Sequence, residues 1–304
     1  MVYSRLLEID TEEVSQSIED YILRLTESHG AEAVVMGLSG GVDSAVLAAL
    51  VVRALGPERV MAYYLYDRDN ERKSAEKAQL LAERLGIGLE FYDIGPAMHK
   101  GSVYKPLIMR VTGLFGFLNR HFGTGLHRIL CGELPFLSTL HKGSFGGNGI
   151  RRFIYNNTVR HVESGFNARH IYRRKYLENK AVTGNGLVLG AANKSECMVG
   201  WFVKDGVDDM PFSPLNRLYK TQVWQLAGYL GLPGRIRKQL PSPDMAKGIT
   251  DEHAMGISYK DLDIILHGLE NAFSEEQIVG AGVTRRQISH VRRMHELSAW
   301  KRTS

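Results

Sequence analysis

Ala33-Val34-Val35-Met36-Gly37-Leu38-Ser39-Gly40-Gly41-Val42-Asp43-Ser44 runs from a short apolar stretch into two glycines flanked by hydroxyls and one acid. Residues 33–38 have the length of a buried strand, and 42–55 return to helical spacing until Gly56-Pro57 stops it. The hexapeptide Ser39–Ser44 must therefore turn a strand into a helix. Glycines let the backbone come close to a bound group, and the helix N-terminus offers unpaired N–H donors at the positive end of its dipole. The Ser39 and Ser44 hydroxyls add donors. This is not the Walker loop, which needs a GxxxxGK[ST] run with its lysine. Asp43 marks the difference, because an acid inside a phosphate cradle repels phosphate unless it holds a metal ion.

Working outward, residues 11–28 place Val14, Ile18, Tyr21, Ile22 and Leu25 at helical spacing. Residues 60–65 read as a second strand, 74–85 as a helix closed by Gly86, and 89–94 as a third strand. Strand and helix alternating in this way predict an α/β fold: a parallel twisted sheet with helices on both faces. Right-handed crossovers put ligands at the carboxyl ends of such strands, where the Ser39 loop lies. Residues 101–166, glycine-rich around 143–149, read as long loops with helical pieces. A fourth strand is expected at 186–191, with helices at 195–203, 219–230 and 259–269. A last helix starts at Thr284, where Gln287 completes a capping box. No internal repeat or linker appears, so one domain over 1–304 is expected, with a basic insertion at about 100–160.

Composition narrows the class. The chain has 304 residues, a formal charge of +5 and the apolar fraction of a globular protein. No apolar run is long enough for a membrane span, and Glu8, Asp10, Glu12 and Glu13 replace any basic-then-apolar leader, so the expected location is cytoplasmic. Cys131 and Cys197 form no CxxC pair and are expected to be reduced packing residues. His99, His127, His141, His161, His170 and His253 show no paired metal spacing. Between residues 101 and 175 twelve lysines and arginines face only Glu133 and Glu163, an excess of about ten positive charges. Such a stretch attracts a polyanion or forms a solvated basic surface.

SGGVDS in this setting is similar to the pyrophosphate-binding loop of the ATP pyrophosphatase superfamily, whose fold is that of the adenine nucleotide alpha hydrolase-like proteins. Further stretches resemble the NAD synthetase family in particular. They are Asp93-Ile94-Gly95-Pro96-Ala97, Gly190-Ala191-Ala192-Asn193-Lys194-Ser195-Glu196 and Gly200-Trp201-Phe202-Val203-Lys204-Asp205-Gly206. Pro214-Leu215, Leu218 to Val223, Pro241-Ser242-Pro243-Asp244, Asp251-Glu252 and Gly256 to Asp263 follow in the family's order. The resemblance covers most of the chain outside about 100–160.

That resemblance implies cleavage of ATP between its α and β phosphates to adenylate a carboxylate, which ammonia then converts to an amide. It implies an ATP site at Ser39, Gly40, Gly41, Val42, Asp43, Ser44, Arg169, Ala191, Lys220 and Ser242. Asp43 and Glu196 would hold Mg²⁺, and Asp43, Glu196 and Lys220 would carry the catalytic charge. Lys204, Asp205, Asp208 and Lys301 would meet the acceptor, which for this family is deamido-NAD. A homodimer is implied as well. No glutaminase signature is present, so ammonia is expected free or from a separate glutaminase partner.

Several departures fall on the acceptor side. Ala191 stands where the family usually has threonine, the 204–208 loop is about three residues short, and Trp300-Lys301-Arg302 replaces a histidine-lysine-arginine ending. A ligase that keeps the ATP chemistry but adenylates another carboxylate is therefore the second reading. A tRNA-modifying enzyme is the third. The basic segment suggests it, but cysteine pairs and an RNA-binding signature are missing, so nucleic acid is not an expected partner.

Overall fold

The computed structural model describes residues 6–109, 124–142, 149–243 and 249–303. The chain opens with α1 (Thr11–Ser28), capped by the Asp10 carboxylate on the Glu12 and Glu13 backbone N–H groups. It continues through β1 (Ala33–Gly37), α2 (Val42–Leu55), β2 (Val60–Tyr66), α3 (Arg72–Leu85), β3 (Leu89–Asp93) and α4 (Gly95–Lys100). Then come α5 (Thr124–Cys131), α6 (Pro135–Thr139), α7 (Gly149–Asn157), the long α8 (Val159–Thr183) and β4 (Gly186–Val188). The last third holds α9 (Lys194–Val199), α10 (Lys220–Tyr229), α11 (Gly234–Arg237), α12 (Asp251–Met255), α13 (Tyr259–Glu270), α14 (Glu275–Gly280), α15 (Arg285–Leu297) and α16 (Ala299–Arg302).

The four strands are parallel in the order β3-β2-β1-β4, with Val34 opposite Val60 and Ala33 opposite Gly186. Chain order reverses at β1, so a crevice opens at its carboxyl end, where open α/β sheets bind ligands. Alternate residues face opposite layers, as the two-residue period of a strand requires. Val34, Met36, Ala62 and Tyr64 pack toward α1, α2 and α10, while Val35, Tyr63 and Leu65 meet Leu177 and Ala181 of α8. Helices thus cover both faces. A further core joins α6, α9, α13 and α15 through Leu137, Val199, Leu262 and Ile288, and Trp224 of α10 packs against both this core and the sheet layer.

The expected strands and helices around the Ser39 loop are present, and the Thr284–Gln287 capping box is formed. The fourth strand is shorter than expected, 186–188. The helix expected at 195–203 is α9, which ends early because Gly200 takes a left-handed φ of +74°. The larger difference is α8: twenty-five residues of helix begin inside the segment read as long loops with helical pieces. Its buried residues recur every four positions from Gly165 to Ala181, but Gly165, Arg169 and Arg173 occupy part of that stripe, so it is not apolar enough for periodicity to detect. The glycine run at 143–148 lies outside the described residues, as do Arg110, Arg120 and Asp244. Both cysteines are free. Among the described residues no helix is long and apolar enough to cross a membrane.

Candidate active site

The β1–α2 loop is built to hold its own shape. Ser39 N–H donates to Ser44 Oγ at 3.2 Å, the two hydroxyls lie 3.0 Å apart, and Ser44 Oγ donates back to Gly41 O at 3.1 Å. The hydroxyls expected to serve as ligand donors are thus engaged in ordering the loop. Gly40 has φ +79°, and a Cβ there would come within 2.3 Å of the Ser74 carbonyl oxygen of α3. Only glycine lets the loop lie so close to its neighbour.

Asp43, in the first turn of α2, joins a cluster with residues brought from α9, α10, α12 and α13. Lys220 Nζ stands 2.6 Å from Asp43 Oδ2 and 2.9 Å from Glu196 Oε1, so one ammonium bridges the two carboxylates. Asn193 caps α9 by accepting the Glu196 N–H at 3.0 Å and donates its amide to Asp43 Oδ1 at 2.9 Å. The Tyr259 hydroxyl stands between Glu196 Oε1 at 3.0 Å and Asp251 Oδ2 at 3.1 Å. Lys220 is 2% exposed and Asp251 5%, so this charge is held largely out of water.

Burial shapes the protonation of the cluster. It pushes the Glu196 carboxyl up to about 7, against the pull of Lys220 and helped by Asp43 and Asp251. Burial also raises Asp251 to about 6, with Lys220 opposing. For Lys220 burial works downward, but the Asp43 and Glu196 carboxylates outweigh it and hold the ammonium above its usual range. Three carboxylates around a single lysine leave the site poor in positive charge.

Asp43, Glu196, Lys220 and Asp251 line one cavity of about 680 Å³, well within the size of small-molecule sites. Ser39, Gly41, Val42, Asp43, Ser44, Arg169, Ala191, Glu196, Asp208, Lys220, Ser242 and Lys301 all border it. Gly40, Lys204 and Asp205 are not among its lining residues. Gly40 is buried beneath the loop, and Asp205 is exposed in a left-handed turn, its N–H donating to Asp209 Oδ2. Lys204 lies 3.8 Å from Asp209.

Arg169 is 1% exposed and turned inward, toward Asp69 at 3.3 Å and Asp67 at 3.6 Å. Arg173 donates to the Leu65 carbonyl and to Asn70, and Arg174 pairs with Glu178. Part of the positive charge counted in the sequence is therefore spent inside the fold. At the far end of the cavity Lys301 Nζ donates to the Gly200 and Phe202 carbonyls at 2.8 and 2.5 Å. Burial lowers its pKa to about 8, although Glu163, Asp208 and Asp209 favour the charged form. Asp208 sits 2.6 Å from His170 Nδ1, and His170 holds its carboxyl low against burial. The lining also includes the apolar Met109, Leu126, Leu130, Val162, Phe166 and Phe202, interspersed with His127, Thr158, Glu163 and Asn167.

Asn193, Asp251, Tyr259 and Asp263 belong to the site's framework but received no role from the sequence. All four lie within stretches that resemble the family, and that match was the available signal. Asp67 and Asp69 were signalled only by their place after the second strand's carboxyl end.

The family model described as NAD synthase matches residues 14–105 and 153–304, which leaves 106–152, within the expected insertion, outside the match. An NH(3)-dependent NAD(+) synthetase of Coprothermobacter proteolyticus is 34% identical over 269 residues, 88% of each chain. One from Archaeoglobus fulgidus is 35% identical, covering 85% of this chain and 84% of the relative. Among solved structures, an NMN synthetase from Francisella tularensis aligns with a TM-score of 0.70 and 25% identity over 98% of both chains. An NH3-dependent NAD synthetase from Campylobacter jejuni aligns with a TM-score of 0.65 over 97% of this chain and 98% of that one. At 22% identity it supports the shared fold. With a family match over most of its length and relatives above 30% identity across more than four fifths of it, the chain belongs to the NAD synthase family of ATP-dependent amide-forming ligases.

Proposed function

We propose that the protein is an ammonia-dependent NAD synthetase. The observation that carries this reading is Lys220 bridging Asp43 and Glu196 beneath the glycine loop at the point where strand order reverses. ATP would lie with its phosphates over that loop, between α2 and Lys220. The nicotinate carboxylate of deamido-NAD attacks the α-phosphorus, and the bond to the β-phosphate oxygen breaks, releasing pyrophosphate. Ammonia then adds to the acyl carbon, AMP leaves with the carboxylate oxygen that joined it to phosphorus, and the nitrogen loses a proton. No side-chain nucleophile is needed, because positioning and charge stabilisation can supply most of the acceleration.

Asp43 and Glu196 fit a divalent cation. Their oxygens already converge on one positive centre, and with Asp251 they outnumber the single lysine. Among the described residues no cluster of three His, Cys, Asp or Glu forms a cage. Phosphate oxygens and water would complete the shell, the usual pattern for Mg²⁺. When bound, Mg²⁺ supplies neutralisation of the departing pyrophosphate. Lys220 then donates to phosphate from the opposite side, and Ser242 at the cavity rim adds a hydroxyl. Lys301 and Asp208 face the acceptor end, with Lys204 and Asp205 on the neighbouring turn.

A second reading keeps the ATP chemistry and shortens the acceptor to a mononucleotide. The likeness to the Francisella NMN synthetase favours it. Pyrophosphate release with Mg-ATP and ammonium distinguishes the two. Release that requires deamido-NAD and yields NAD supports the first reading. Release that responds only to the mononucleotide supports the second. We also propose a homodimer, for which the mass in solution is twice the 34.0 kDa of the chain. A monomeric mass at assay concentration removes that proposal.

A further inference from the structure

Asp263 touches neither the cavity nor its charged cluster, yet it is fully buried within the site's framework. It sits on α13, one turn after Tyr259. Its Oδ1 accepts the Ser195 hydroxyl at 2.5 Å, and its Oδ2 accepts the Thr221 backbone N–H at 2.8 Å. Ser195 Oγ in turn accepts the Lys220 backbone N–H, also at 2.8 Å. Lys220 and Thr221 open α10, and Ser195 lies in the first turn of α9, directly before Glu196.

The first N–H groups of a helix have no partner within it. Here two of them point into the core, where water cannot satisfy them, and a single carboxylate receives them, one directly and one through Ser195. The same carboxylate therefore joins the first turns of the two helices that present Glu196 and Lys220. Each link falls on or beside a residue whose side chain reaches the charged centre. A carboxylate suits the task because both of its oxygens accept, whereas an amide offers one acceptor and one donor.

We propose that Asp263 is a positioning residue for the adenylation step, fixing Glu196 and Lys220 at the separation that receives the departing pyrophosphate. This inference rests on the reading of the site given above. An ordinary buried cap would stabilise the fold without selectively affecting turnover, so the two roles separate in kinetics. An error of about 1 Å in a reacting group can cost about 100-fold in rate.

The test uses Asp263→Asn and Ser195→Ala in the full chain, each confirmed folded by its melting transition. In Asp263→Asn, kcat for pyrophosphate release is expected to fall roughly 100-fold while KM for the acceptor stays within roughly threefold. The Mg²⁺ concentration giving half-maximal rate is expected to rise. Ser195→Ala removes the hydroxyl that joins Asp263 to α9 and receives the Lys220 N–H, leaving the Thr221 link in place, and should fall roughly tenfold in kcat. The double variant should be no slower than Asp263→Asn alone, because both act through one connection. A folded Asp263→Asn with wild-type kcat and Mg²⁺ dependence overturns the proposal, as does a double variant whose losses multiply. If Asp263→Asn does not fold, Ser195→Ala decides alone, and an unchanged kcat and Mg²⁺ dependence overturns it. If the wild type turns over no nicotinate acceptor, the functional reading fails separately. The clamp is then read from calorimetric Mg-ATP affinity, which Asp263→Asn should weaken and which would contradict the clamp if unchanged.

Discussion

Lys301 shows what burial does to a single side chain. Its ammonium spends two hydrogen bonds on backbone carbonyls and borders the acceptor end of the cavity, yet its pKa falls to about 8. An anionic, phosphate-bearing acceptor is attracted by the charged form alone. KM for the acceptor is therefore expected to rise roughly tenfold as pH climbs through about 8, and Lys301→Met should flatten that rise. A pH profile of KM that is identical in the two proteins removes Lys301 from acceptor binding. The stability linkage has its own sign. The folded protein binds fewer protons at Lys301 than the unfolded chain between about 8 and 10.5, so this group's contribution to stability increases with pH across that window. Asp43 and Lys220 were legible as candidates from their places in short motifs. Their direct contact was not, because 177 residues separate them and spacing carries no distance across folded space.

At the scale of elements, the β1–α2 loop was readable because its glycines and serines act locally. Gly40 answers a close approach by α3 that the sequence could not show. Gly40→Ala combines a disfavoured φ with a backbone clash and should cost about 2–4 kcal/mol. Its melting temperature should drop along with its affinity for ATP, whereas wild-type values for both would show that the loop is free to relax. The long helix α8 was hidden for the opposite reason. It packs on β1, β4, α6 and α7, but the buried stripe from Gly165 to Ala181 carries Arg169 and Arg173 where an apolar pattern would be sought. Its arginines read as a basic surface, but Arg169 and Arg173 are buried, and their partners Asp67, Asp69 and Asn70 lie a hundred residues away. Charge counting cannot see such pairing.

Across the whole molecule the two ends of the cavity differ in how far the sequence determines them. The ATP end is assembled from four short stretches, each tied to a strand or helix terminus, and their order along the chain matched a known family. The end proposed for the acceptor draws on α5, α7 and α8 around residues that the family model leaves unmatched. Its mixed lining carries little information about which carboxylate fits. Adenylation of a carboxylate is common to both proposed acceptors, and membership of the NAD synthase family supports it. The most direct measurement supplies deamido-NAD labelled with oxygen-18 in its nicotinate carboxylate, together with Mg-ATP and ammonium, and weighs the products. One labelled oxygen in AMP, with NAD formed and pyrophosphate unlabelled, is the expected result. NAD formed with label in inorganic phosphate and none in AMP would mean attack at the γ-phosphorus, and would contradict the roles given to Asp43, Glu196 and Lys220.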